Sequence, residues 1–224
     1  AILVAVFLLG NISIVIADDS PHWRGICRDG IYRESGLLTA WSADGLPPLW
    51  TVEGIGDGYS SASVAKGAIY TTGMTADAHR GLLTSHALDG KRNWQIEYGA
   101  EWEGNQPGTR CCPAVDDGRV FILSGHGLLV CCDVTNGDVI WQKDVAKESG
   151  GETPACGFAE SLLLDGGNVI CTPGGEDAAL VALNKKTGDV VWTTKGFSEQ
   201  SAYCSPILVE RGGLRLVVTL TVHS

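Results

Sequence analysis

The stretch LVALNKKTGDVVW, residues 180 to 192, nearly copies LVCCDVTNGDVIW, residues 129 to 141, and both close on tryptophan. A shorter copy, HALDGKRNW, spans residues 86 to 94, and Trp50 in PPLWTV stands one interval earlier. Trp50, Trp94, Trp141 and Trp192 thus recur every 44 to 51 residues or so. A second marker keeps the same period. The segments YSSASVAKGAIYTTG, RCCPAVDDGRVFILSG, AESLLLDGGNVICTPGG and YCSPILVERGGLRLVVTL introduce successive units, with Ala62, Pro113, Leu162 and Pro206 in register. Such a repeat constrains the fold more than any composition does. Each unit is one supersecondary element that buries its faces only against its neighbours.

Within a unit the chemistry is that of strands. RVFILSG and NVICTPG are short apolar, partly β-branched runs closed by glycine, and DDG, DGG and TNG are turn signals. In DVTNGDVIW and NKKTGDVVW the Asp133 or Asn184 side chain can cap its own turn, and Gly137 or Gly188 takes the left-handed position before the strand that carries the tryptophan. No amphipathic helix interrupts the units. Four short strands per repeat, without helix, predict an all-β fold: a β-propeller of four-stranded antiparallel blades, here an incomplete ring of about three to four. The closing tryptophans are expected to be structural wedges between blades, each indole N–H finding a carbonyl.

These residues carry a family resemblance. Ala182 to Trp192, Cys131 to Trp141 and the shortened Ala87 to Trp94 resemble the Ala-Leu-Asp-x-x-Thr-Gly-x-x-x-Trp repeat of the pyrroloquinoline-quinone-like, quinoprotein-type propellers. HWRGICRDGIYRESGLLTAW, residues 22 to 41, resembles the opening of an exported bacterial subgroup, with Ile26 where proline is usual. The Gly-His and Trp-Asp pairs of the WD propellers are absent. The resemblance covers nearly all of residues 22 to 221 and implies a ring of about seven or eight blades, so the 224 residues are expected to be a fragment of a longer gene product. An open arc leaves strand edges bare, which predicts aggregation or dimerisation of the isolated chain.

The expected organisation is a signal peptide over 1–17, a lead-in segment and strand over 18–58, and blades at 59–109, 110–158, 159–202 and, in part, 203–224. Residues 1–17 are uncharged, almost wholly apolar, and end in Val15-x-Ala17, which favours a cleaved signal peptide over an uncleaved anchor. No lipidation pattern surrounds Cys27. The mature chain is then expected in the periplasm or outside the cell, with no stable membrane span. A net charge of −10 without a Lys/Arg cluster argues against nucleic acid as a partner.

Of the eight cysteines, Cys131, Cys132 and Cys171 fall in strands where small hydrophobes belong. Cys111-Cys112 is read first as core or rim packing, with a structural disulfide as the alternative, because neighbours in a strand face opposite ways. The resemblance adds a third reading, since quinoprotein alcohol dehydrogenases carry an adjacent-cysteine disulfide over the quinone. No zinc spacing, nucleophile elbow or phosphate loop occurs. His22, His79, His86, His126 and His223 lie singly and are expected to be solvated.

Segments leading into the innermost strands converge on a propeller's axis, so Tyr59, Arg110, Glu160 and Tyr203 are the candidate residues of a funnel, either a site or the rim of a water-filled channel. The function expected is an exported cell-envelope propeller that binds a protein or a small polar ligand there, without a visible catalytic motif or cofactor. The alternative, which the resemblance implies, is a dehydrogenase of alcohols or polyols that uses pyrroloquinoline quinone and calcium, with its ligands largely in an absent C-terminal part. Its tryptophan floor, calcium-binding Glu and Asn and Asp base find no residue-by-residue match here.

Overall fold

The computed structural model describes residues 19–176 and 178–223. The expected signal peptide at 1–17 lies outside them. Three antiparallel meanders follow one another along the chain. The first is β1 (Ser63–Ala65), β2 (Ala68–Met74), β3 (Arg80–Ala87) and β4 (Arg92–Ala100). The second is β5 (Ala114–Asp116), β6 (Arg119–Leu123), β7 (Leu128–Asp133) and β8 (Val139–Asp144), after which comes the short helix α1 (Val145–Ser149). The third is β9 (Leu163–Asp165), β10 (Asn168–Cys171), β11 (Val181–Asn184) and β12 (Val190–Thr193). A hairpin of β13 (Ile207–Arg211) and β14 (Leu214–Val218) then opens a fourth unit. The fold is that of an incomplete propeller, an arc of three blades and the first two strands of another.

Apolar side chains fill the seams between blades rather than one central core. Tyr70, Leu83, Val120 and Val130 join blades one and two. Phe121, Leu129, Cys131, Leu162, Cys171 and Leu183 join blades two and three. Ile170 and Ala182 meet Leu208 and Val217 of the hairpin. Burying each face this way is what makes a blade depend on its neighbour. Cys111, Cys112, Cys131, Cys132 and Cys171 are buried free thiols within these layers.

The tryptophans show how neighbours are joined. Trp50 Nε1 donates to Leu88 O at 2.8 Å, Trp94 Nε1 to Val134 O at 3.0 Å and Trp141 Nε1 to Lys185 O at 3.0 Å. Each acceptor lies in the turn between the third and fourth strands of the next blade. The glycine of that turn lies flat on the incoming indole. A Cβ on Gly90, Gly137 or Gly188 would sit 2.9, 2.7 or 2.8 Å from Trp50, Trp94 or Trp141. These glycines also hold φ between 75 and 86°, a region that penalises other residues. The turn is capped as its sequence suggests: Asp133 Oδ1 accepts from Thr135 N–H at 2.7 Å, and Asn184 Oδ1 from Lys186 N–H at 2.8 Å. A bulge beside each tryptophan, at Ser85/His86, Cys131/Cys132 and Ala182/Leu183, re-aims the ring toward the neighbour.

Three expectations need correction. No strand forms between residues 19 and 58, only isolated bridges such as Ser20 to Val64 and Asp57 to Met74, because glycines, prolines and the positive-φ Arg24 and Arg28 break extended pairing. Among the described residues one helix does occur, α1, between blades two and three. The Asp144 side chain accepts from Lys147 N–H to start it, and Gly150 stops it in the left-handed region. Finally, His22, His86 and His126 are not solvated singly. His86 is buried in β3 and burial lowers its pKa, and His126 Nε2 lies 2.9 Å from the Glu103 carboxylate with its ring against Trp102.

Candidate functional site at the axial mouth

The innermost strands β1, β5 and β9 run side by side around the axis, linked by short polar contacts just ahead of each strand. Ser60 Oγ–H donates to Cys111 O at 2.9 Å, Cys112 N–H to Ser161 Oγ at 3.1 Å, and Ser161 N–H to Ser205 Oγ at 2.8 Å. This ladder fixes the connections that enter successive blades. Where they converge is a hollow of about 320 Å3 lined by Tyr59, Gln106, Arg110, Cys156, Ala159 and Tyr203.

Three of the four residues expected at the funnel, Tyr59, Arg110 and Tyr203, line this hollow together. Glu160 does not. Its side chain turns inward, 1 % exposed, with Oε1 accepting from Thr172 N–H at 2.7 Å and Oε2 unpartnered. Burial pushes its carboxyl up to about 7, against the opposing pull of that N–H and of Arg28.

The polar tips around the hollow are already engaged by the chain itself. The Tyr59 hydroxyl donates to Gln106 Oε1 at 3.0 Å, and the Tyr203 hydroxyl accepts from Cys156 N–H at 3.1 Å. The Arg110 guanidinium donates to Gly108 O at 2.8 Å, to Asn105 O and to Gln106 O, and lies 5.5 Å from the Tyr59 ring centroid. What remains available is two ring faces, both more than half exposed, beside a cationic edge. Gln106 is held at φ 56° by these contacts, local strain kept in place by the surrounding bonds.

The 101–110 connection is itself anchored. Buried Glu101 accepts from the Tyr98 hydroxyl and from Gly125 N–H at 2.7 Å, and Trp102 Nε1 donates to Asn105 O at 2.9 Å. Gln106, Cys156, Glu101 and Trp102 were not singled out in the sequence. They belong to connections that differ from unit to unit, so no periodicity marks them.

A larger hollow, about 670 Å3, lies between α1 and β11–β12. Two of its acids are engaged, Glu148 with Lys143 at 3.3 Å and Glu152 with Gln200 at 3.0 Å. Among the described residues, no group of three or more His, Cys, Asp and Glu side chains is placed to hold a metal ion. Among them, too, no helix is long and apolar enough to cross a membrane.

Residues 79–220 match the family model described as outer membrane protein assembly factor BamB. Quinoprotein alcohol dehydrogenase PedH of Pseudomonas putida is 30 % identical over 119 residues, 52 % of this chain and 19 % of that protein. Outer membrane protein assembly factor BamB of Kangiella koreensis is 25 % identical over 161 residues, 70 % of this chain and 36 % of that protein. A 1-butanol dehydrogenase (quinone) of Thauera butanivorans is 26 % identical over 56 % of this chain and 20 % of its own length. The chain thus spans between about a fifth and a third of the curated relatives it matches. Among solved structures, the quinohemoprotein alcohol dehydrogenase of Comamonas testosteroni aligns at TM-score 0.49 and 18 % identity, over 66 % of this chain and 22 % of that one.

Proposed function

Since the chain belongs to the pyrroloquinoline-quinone-like propeller family whose model bears the description outer membrane protein assembly factor BamB, we propose that it serves in the cell envelope as a binding module, docking a partner polypeptide at the axial mouth. One observation carries this reading. The mouth offers aromatic faces whose hydroxyls, like the neighbouring guanidinium, are already hydrogen-bonded within the chain. Such a surface holds a flat apolar group by stacking. The similarity to an assembly factor over 70 % of the chain supports a protein as the partner.

The PedH similarity favours a second reading, part of a quinone-dependent dehydrogenase. The residues present do not fit that cofactor. An acidic quinone with a divalent cation needs free cationic donors and convergent carboxylates. Here Arg110 is spent on three backbone carbonyls, Glu160 is buried and turned away, and the described residues hold no metal-binding cluster.

Equilibrium titration of the purified chain separates the two readings. An acetylated extended peptide of alternating phenylalanine and serine should bind saturably, and Tyr203→Ala should weaken it by about 10-fold. Pyrroloquinoline quinone with calcium should give no saturable change in absorbance. Saturable quinone binding together with no peptide binding would reverse the assignment.

A further inference from the structure

The segment just before the first blade reaches the inner side of all three blades. Ser20 pairs with Val64 of β1 through two backbone bonds, at 2.8 and 2.9 Å, and the Asp19 carboxylate accepts from Lys66 N–H. One residue on, Pro21 O accepts from Val115 N–H of β5 at 2.7 Å. Arg28 then reaches the approach to β9, where Nη1 donates to Leu162 O and Nη2 to Ser161 O, both at 2.7 Å. Within nine residues, Ser20 to Arg28, the chain therefore touches β1, β5 and the approach to β9 in turn.

Between those contacts the chain is wound into a tight coil. Gly25 N–H donates to His22 O, Arg28 N–H to Gly25 O and Gly30 N–H to Arg24 O, and both arginines sit at positive φ. Trp23 lies under the two guanidiniums, 5.2 Å from Arg24 and 5.9 Å from Arg28. Arg28 is only 5 % exposed, yet its Nε is unpartnered. A buried charge held by two carbonyls and one unpaired donor is a costly contact unless its geometry is fixed. The flank beyond it is loosely held: Ile31, Tyr32, Leu37 and Leu38 are all exposed.

We propose that residues 19–30 are a strap, latched across three blades by Arg28, that shields Cys111 and Cys112 and lifts from its Arg28 end. Ser20 and Pro21 form its hinge, and the exposed flank gives it slack. With the strap lifted the two thiols under it meet solvent.

Timed alkylation of the full chain with iodoacetamide, read by peptide mass spectrometry at one pH, tests this. Exposed Cys27 serves as the internal reference. In the unmodified protein Cys111 and Cys112 should label far more slowly than Cys27, and Arg28→Gln should speed them by about 10-fold while leaving Cys156, which lies outside the strap, unchanged. Equal labelling of Cys112 in both proteins, or labelling at the rate of Cys27 in the unmodified one, would overturn the strap. Should Arg28→Gln fail to fold, trypsin on the unmodified protein decides. Arg33-Glu34 should be cut well before Arg28-Asp29, and equal rates would count against the latch.

Discussion

Gly137 and Gly188 each meet two demands, a left-handed backbone and an indole lying where a methyl would go, whereas Gly67 meets only the first. Gly188→Ala should therefore cost about 1 to 3 kcal/mol in urea unfolding and Gly67→Ala about 1 kcal/mol or less. Equal losses would mean that the indole contact contributes nothing. These glycines and their tryptophans could be read in the sequence because they repeat. Gly90 could not, since its copy of the turn is shortened. The bulge that re-aims each ring was hidden for a different reason: a bulge is a property of pairing between two strands, and neither strand encodes it alone. The half-buried placement of His22 was equally invisible, because it depends on how the 19–30 segment folds back over the inner strands.

At the scale of elements, the strap and the inner strands carry two titrations of opposite sign. Burial, reinforced by the Arg28 charge, pushes His22 down to about 4 from its ordinary 6.5. The stability that neutral His22 contributes is thus complete above pH 6.5 and is lost as pH falls toward 4. Glu160 runs the other way. Its carboxyl is raised from 4.5 to about 7, so its contribution is complete below pH 4.5 and fades as pH rises through 7. Chemical unfolding across this range should show His22→Gln flattening the acid limb and Glu160→Gln flattening the neutral one. A Glu160→Gln profile parallel to that of the unmodified protein would contradict the buried carboxyl. Strand content and blade order were legible from turn chemistry and period. The mouth was legible only in part: Tyr59, Arg110 and Tyr203 follow from their position before an inner strand, whereas the direction in which Glu160 points depends on Thr172, the residue that follows β10.

Across the whole molecule, each seam is made the same way, and stability should track which seams are occupied. Trp94→Ala removes a ring packed between blades one and two and should cost about 3 kcal/mol. Trp192, 36 % exposed and with no neighbouring turn among the described residues to receive it, should tolerate the same change within about 0.5 kcal/mol. Calorimetry on the two variants would show whether the seams account for the cooperativity of the arc.

The seam contact has a direction. A tryptophan always reaches forward to a glycine turn, never backward, so the arc has a donor end and an acceptor end, much as a filament has polarity. Its acceptor is already filled, because Trp50 occupies the turn of the first blade. Its donor, Trp192, is unspent. Two copies meeting face to face as a symmetric dimer would present like to like, and two meeting head to tail would find the socket stoppered. Among the described residues, the seam still lacking its turn is the one that Trp192 faces, in the blade that β13 and β14 open.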